Sequence, residues 1–243
     1  MKRHVLVLAM TLIVTGCGGG GSGSSSGSIT PPADPTGIWE GYLAVAGDGV
    51  HDVGGLLIEG NLYFFSTDGF YTTLHAGTYA VSGNRLDAGT IDYDLFTGFA
   101  IGQTDFHATV DEGVNISGTF ASASGASGSF SLDYSADNLR GASLTWIGGN
   151  WLSNFGVESV SIDSLGNFSS ANLSGCSAHG SVRLIDPGIN IYRLSLTLVF
   201  CGVLDGAYSG YAFLTDNLVF NDTLVYVVRN ADRTVIFDVL TRS

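Results

Sequence analysis

The chain has 243 residues, with 22 Asp and Glu against nine Lys and Arg and a formal net charge of −13. So acidic a surface repels phosphate backbones and anionic head groups, which argues against nucleic acid as a partner. The single lysine is Lys2, so the body holds no P-loop lysine, Schiff-base lysine or Ser–Lys dyad.

In chain order, the first element is a leader. Lys2 and Arg3 precede an uncharged, mostly apolar run from Val5 to Val14, and Val14-Thr15-Gly16-Cys17 follows. A basic start, a short apolar core and small residues at the cut site are the parts of an export signal. The run is ten residues, whereas a membrane-spanning helix needs about 20. The quartet ending at Cys17 resembles the lipobox of bacterial lipoproteins. That resemblance implies a signal peptide over 1–17, lipidation of Cys17, and removal of the segment before it. The expected membrane partner is reached through this covalent lipid, and more than one acyl chain makes the anchor stable. Gly18 stands where an Asp would retain such a protein at the inner membrane, so the resemblance points to the outer membrane of a Gram-negative bacterium.

Residues 18–36 read as a flexible Gly/Ser/Pro tether with an r.m.s. span of roughly 20–25 Å. Once the signal has gone, seven arginines face 22 acidic residues, a net charge of −15.

The remaining 207 residues show almost no helical periodicity. Two-residue alternation recurs with turn residues every eight to twelve positions, which predicts antiparallel β structure. From Ile191 to Cys201, alternation puts Tyr192, Leu194, Leu196, Leu198 and Phe200 on one face and Arg193, Ser195 and Thr197 on the other. Phe130, Leu132 and Tyr134 share an inward face in the same way. Asp68-Gly69, Ser82-Gly83-Asn84, Pro187-Gly188 and Asp205-Gly206 supply turn chemistry. Gly77, Gly118 and Gly210 within strands suggest bulges or the bends that let a sheet close.

The body also reads as loosely duplicated. Gly37-Ile38-Trp39 opens one stretch and Gly149-Asn150-Trp151 another, 112 residues later. Ser143 is placed to cap a short helical turn before the second tryptophan. A helical turn followed by G-x-W at a strand start resembles the opening of lipocalin-like (calycin) barrels, where the Trp plugs one end. The expected fold is all-β: two tandem small antiparallel β-barrels or closed sandwiches, lobes 37–137 and 138–243, with one larger β-sandwich as the alternative. The layout of lipobox, tether and two β lobes also resembles an uncharacterised family of proteobacterial lipoproteins, a likeness that brings no activity with it.

Cys176 and Cys201 form an even pair in a chain destined for an oxidising compartment, and a structural disulfide between them is expected. Closing that 25-residue loop contributes about 3 kcal/mol on the loop-entropy estimate. No catalytic constellation emerges. No G-x-S-x-G elbow occurs in the body, and His51, His75, His107 and His179 lack metal-site spacing, although His75 and His107 lie in the same half. Asp92 and Asp94 share a strand face, and Asp111-Glu112 fall at a turn, within 18 Asp and four Glu spread over the chain. The reading is of a non-enzyme without cofactor or metal. Tyr63, Phe64, Phe65, Phe70, Tyr71 and Tyr79 form an aromatic cluster in the first half. It is expected to pack between the lobes, with a ligand or partner patch as the alternative.

The functional expectation is a membrane-anchored, non-catalytic β module for binding or envelope structure. Its alternatives are a lipocalin-like carrier of a small apolar ligand and an enzyme without a recognisable motif. A carrier needs an apolar cavity of a few hundred Å³ inside a barrel; an interaction module has filled barrels.

Overall fold

The computed structural model describes residues 31–66, 72–153, 159–171, 175–217, 219–231 and 234–243. Cys17, Asp68, Gly69, Phe70 and Tyr71 lie outside them.

Two closed eight-stranded antiparallel barrels follow one another along the chain. The first comprises β1 (Gly37–Val45), β2 (Gly49–Ile58), β3 (Asn61–Ser66), β4 (Thr73–Ser82), β5 (Arg85–Asp94), β6 (Ala100–Asp111), β7 (Asn115–Ser122) and β8 (Ser127–Tyr134). Each strand pairs with the next, and β1 pairs with β8 to complete the ring. A 3-10 turn over Ala136–Arg140 and a single helical turn, α1 (Leu144–Ile147), lead to the second barrel. The Ser143 side chain accepts the Thr145 N–H and caps α1. Then come β9 (Gly149–Ser153), β10 (Ser159–Ile162), β11 (Asn167–Ala171), β12 (Ser177–Leu184), β13 (Tyr192–Val199), β14 (Gly206–Thr215), β15 (Thr223–Arg229) and β16 (Val235–Arg242), with β9 pairing to both β10 and β16. Closure leaves neither barrel a free strand edge, which removes the usual route to edge-to-edge aggregation.

Alternation sorts the side chains. In β13 Tyr192, Leu194 and Leu196 are buried while Arg193 and Ser195 are exposed. The strand ends sooner than expected. Phe200 adopts a left-handed backbone (φ 62°) and is 80% exposed, so it does not join the inward row. That reversal carries Cys201 to Cys176, with the Cys201 N–H held by the Asp205 carboxylate. Gly118 and Gly210 sit at no bulge; the recorded irregularity in the ladders falls between Asp92 and Tyr93. A Cβ at Gly118 or Gly210 would meet a neighbouring strand's carbonyl oxygen at 2.0 Å. Close strand approach requires glycine there.

The duplication extends to the plugs. The Trp39 indole N–H donates to the Pro35 carbonyl (3.0 Å), and the Trp151 indole N–H donates to the Ile147 carbonyl (2.9 Å). Both tryptophans are fully buried. Trp39 pairs in register with Tyr134, whose ring meets it edge-on, and Trp151 pairs with Arg242, whose guanidinium lies 4.3 Å above the indole.

The barrels join through their outer faces. Tyr63 and Phe65, which flank the inward Phe64 on β3, pack with Tyr211, Phe213 and Phe237. Around this apolar contact, Tyr211 donates to Glu59, Arg193 pairs with Glu59, and Arg229 donates to Asn61. Val235 donates its backbone N–H to the Gly98 carbonyl (3.1 Å), fixing the β5–β6 loop against β16. The aromatic cluster therefore divides by strand parity: Phe64 and Tyr79 face the first barrel's core, Tyr63 and Phe65 the junction.

Candidate functional site

The two interiors differ. In the first barrel, Phe64, Phe106, Phe120 and Phe130 fill the lumen, with neighbouring ring centroids 5.1–6.0 Å apart. Toward the end away from Trp39, a buried polar layer replaces them. His75 Nδ1 lies 2.8 Å from Asp92 Oδ1, Thr104 donates to Asp92 Oδ2 (2.8 Å), and Thr90 donates to the Thr104 carbonyl (2.9 Å). Register explains the grouping, since His75 pairs with Asp92 and Thr90 with Thr104 across adjacent strands.

In the second barrel several inward rows are aliphatic, Leu194, Leu196 and Leu198 on β13, Ala178 on β12 and Ala212 on β14, while Phe168 on β11 also borders the space. An apolar cavity of about 430 Å³ remains, with Val182, Leu224, Ile236 and Leu240 among its other walls. Trp151, Ile147 and Tyr192 belong to the same apolar core but do not line the space, so the cavity occupies the end away from the tryptophan. Below it, the Tyr192 hydroxyl donates to the Ser143 carbonyl, and burial pushes that phenol's pKa upward.

The mouth is built from three pieces. The disulfide Cys176–Cys201, Cα atoms 4.6 Å apart, ties the segment before β12 to the segment after β13. Leu204, from a short 3-10 turn (Gly202–Leu204), stands beside it. The first barrel contributes Leu95, Phe96, Thr97 and Gly98, the loop that the Val235 hydrogen bond holds in place. Phe96 in this loop is 72% exposed, and on the second barrel Phe200 and Val203, which flank Cys201 and Leu204 in the chain, are 80% and 82% exposed. Polar groups in the wall are few. Ser153 donates to Asp238 Oδ2 (2.6 Å), and Tyr226, Ser170 and, at the mouth, Thr97 also border the space.

A second hollow, about 600 Å³, lies between the barrels, with Glu40, Asp52 and Asp133 beside Ile38, Phe65 and Phe213. Among the described residues no group of three His, Cys, Asp or Glu is arranged to hold a metal ion.

The remaining candidate residues are dispersed. His107 points outward to Asp87 (2.6 Å) while His75 points inward, so the two do not meet. Asp94 leaves the face of Asp92 to accept the Thr97 N–H and hydroxyl in the mouth loop, and those bonds lower its pKa. His51 lies beside Asp48, and His179 pairs in register with Thr197. Asp111 and Glu112 flank the β6–β7 turn. Sequence reasoning placed Leu194, Leu196 and Leu198 on one inward face but did not single out Asp238 or Ser153, nor that these rows leave a space between them. The signal was the substitution of Leu and Ala for Phe along inward rows, and it becomes visible only once the register is known. No family model matches the chain, and no curated protein or solved structure matches it.

Proposed function

We propose that the protein is a lipid-anchored envelope lipoprotein whose second barrel carries a small apolar molecule. The observation that supports this reading is the 430 Å³ aliphatic cavity, open beside the disulfide and walled at its mouth by the first barrel's loop. Its size falls within the range typical of small-ligand sites, and a mostly apolar lining with a few placed polar groups is the usual chemistry of one. In this reading the first barrel, filled with phenylalanines, serves as a scaffold. The lipobox at Cys17 and the Gly/Ser tether support delivery at a membrane surface, with the outer membrane as the expected location.

The test is a titration with the neutral fluorophore N-phenyl-1-naphthylamine, on full-length protein in lipid nanodiscs with empty nanodiscs as blank. Saturable binding at one site per chain is expected. Ala178→Phe projects a ring into the space, so it lowers affinity at least tenfold while the circular dichroism stays unchanged. Fluorescence equal to the blank, or unaltered binding by Ala178→Phe, contradicts the proposal.

A further inference from the structure

We propose that the tryptophan-plugged end of the body docks on the lipid bilayer to which the chain is anchored; this rests on the lipid-anchor part of the reading above, not on the carrier part. Five exposed apolar side chains from four segments stand at that end. They are Leu139 (83% exposed) in the 3-10 turn after β8, Trp146 on α1, Leu165 on the β10–β11 turn, and Val219 and Phe220 on the β14–β15 loop. The Trp146 ring meets Phe220 edge-on, centroids 6.3 Å apart, and the Arg140 guanidinium lies 5.0 Å above Phe220. Arg242 donates to the Trp146 carbonyl, and Arg183 donates to the Leu165 carbonyl (3.0 Å). Arg140 is itself paired with Asp137 and Asp216, so apolar contact rather than charge dominates the patch.

The path of the chain says which surface this patch meets. Residues 31–36 lie across the Trp39 end of the first barrel. The Ala33 N–H donates to the Gly83 carbonyl (2.7 Å), the Asp34 N–H to Glu112, and the Pro35 carbonyl accepts the Trp39 indole N–H. From the same end β8 leads into the 3-10 turn, where Asn138 bonds both the N–H and the carbonyl of Ile38. Arg140 and Ala142 then bond Asp216 and the Pro187 carbonyl on the second barrel. Between Cys17 and Pro31 stand 13 residues, and their Gly/Ser composition gives an r.m.s. span of roughly 20 Å. An anchor at Cys17 therefore keeps this end of the body close to the bilayer. Phe96, Phe200 and Val203 stand at the cavity-mouth end, away from the tether. Trp and Arg suit the head-group layer, since each sets an apolar body inward and a polar tip among the head groups. The acidic surface repels anionic head groups, so a zwitterionic bilayer is the match. Docking this way turns the cavity mouth toward water, because the cavity occupies the end away from Trp151. A ligand then enters from the aqueous side rather than from the supporting bilayer.

The experiment places the full-length protein in phosphatidylcholine vesicles, recovers them by flotation, and compares ordinary lipid with lipid brominated on its upper acyl carbons. Trp39 and Trp151 are fully buried, so the difference between the unaltered protein and Trp146→Phe reads the emission of Trp146. An interfacial face sinks about 5–10 Å into the head-group boundary, so brominated lipid is expected to remove about half or more of that emission. Joint replacement Leu139→Asp and Phe220→Asp should abolish most of the loss. Circular dichroism and flotation should stay unchanged, since both side chains are exposed and the covalent lipid still holds the chain. Protein that does not float overturns the lipid anchor and this inference with it. Protein that floats while Trp146 emission ignores the bromine overturns this inference alone, whether the patch faces water or a second copy of the chain. A loss undiminished in the double variant overturns the role given to the patch.

Discussion

Gly118 on β7 and Gly89 on β5 both stand on strands paired with β6, yet a methyl group would have opposite fates at the two positions. At Gly118 a Cβ would come within 2.0 Å of the His107 carbonyl oxygen and 2.7 Å of the Ala108 Cα, both backbone atoms that cannot yield alone. At Gly89, which is exposed, the nearest atom is the Asp105 carboxylate oxygen at 3.5 Å. Gly118→Ala is therefore expected to destabilise by upward of about 2 kcal/mol, in the range of overpacked cores. Gly89→Ala should be neutral or stabilise by about 0.5 kcal/mol, through the unfolded chain's lost freedom. Urea denaturation of both variants checks the contrast, and equal effects contradict it. The sequence marks Gly118 only as a strand glycine. That it serves strand approach, while the ladder irregularity falls at Asp92/Tyr93, depends on packing no local pattern encodes. The same limit hid Asp238, one of 18 aspartates until its register turned it inward.

At the scale of elements, alternation in β13 and β8 and the paired G-x-W starts were enough to predict two small closed β units. The helical turn before the second tryptophan was legible too, with Ser143 as its cap, but the 3-10 turns at Ala136–Arg140 and Gly202–Leu204 were not. Less legible was where a strand stops. Alternation continues through Phe200, but the chain turns back at that residue to form the Cys176–Cys201 bridge. The bridge clasps the cavity's mouth rather than a hairpin interior, so its loss should loosen one end of the barrel. Cys176→Ser is expected to cost about 3 kcal/mol on the loop-entropy estimate and to lower the melting temperature by several degrees. Differential scanning calorimetry with and without reductant reads this directly. An unchanged transition under reducing conditions sinks the assignment of a stabilising disulfide. Filling also escapes prediction at this scale, because a row of Leu and a row of Phe carry the same two-residue period. One leaves a cavity; the other closes it.

For the molecule as a whole, the two barrels act through a shared apolar junction ringed by polar pairs. Tyr211 lies there, and burial, followed by its hydrogen bond to the Glu59 carboxylate, raises its pKa well above the ordinary tyrosine value of 10.0. Burial raises Tyr63 in the same direction. A folded-state pKa above the unfolded one means that the native state holds the phenol proton more tightly. The stability this provides is fully present below about pH 10 and is lost as pH rises through the folded value. Denaturation midpoints should thus hold up to about pH 9 and fall as pH rises above about 10, and Tyr211→Phe should lessen that fall; equal falls for the two proteins contradict it. The junction itself was foreseeable from Tyr63, Phe64 and Phe65, since consecutive aromatics must serve both faces of a strand. The cavity was not, because it arises from what the second barrel's inward rows leave unfilled and from a loop supplied by the first. The most direct test of the central claim is native mass spectrometry of the full-length protein, released gently from its own envelope. A single bound species of a few hundred daltons, lost on denaturation and missing from Ala178→Phe, is the predicted result. A bare chain at every activation energy, or an adduct retained in full by Ala178→Phe, would contradict the account.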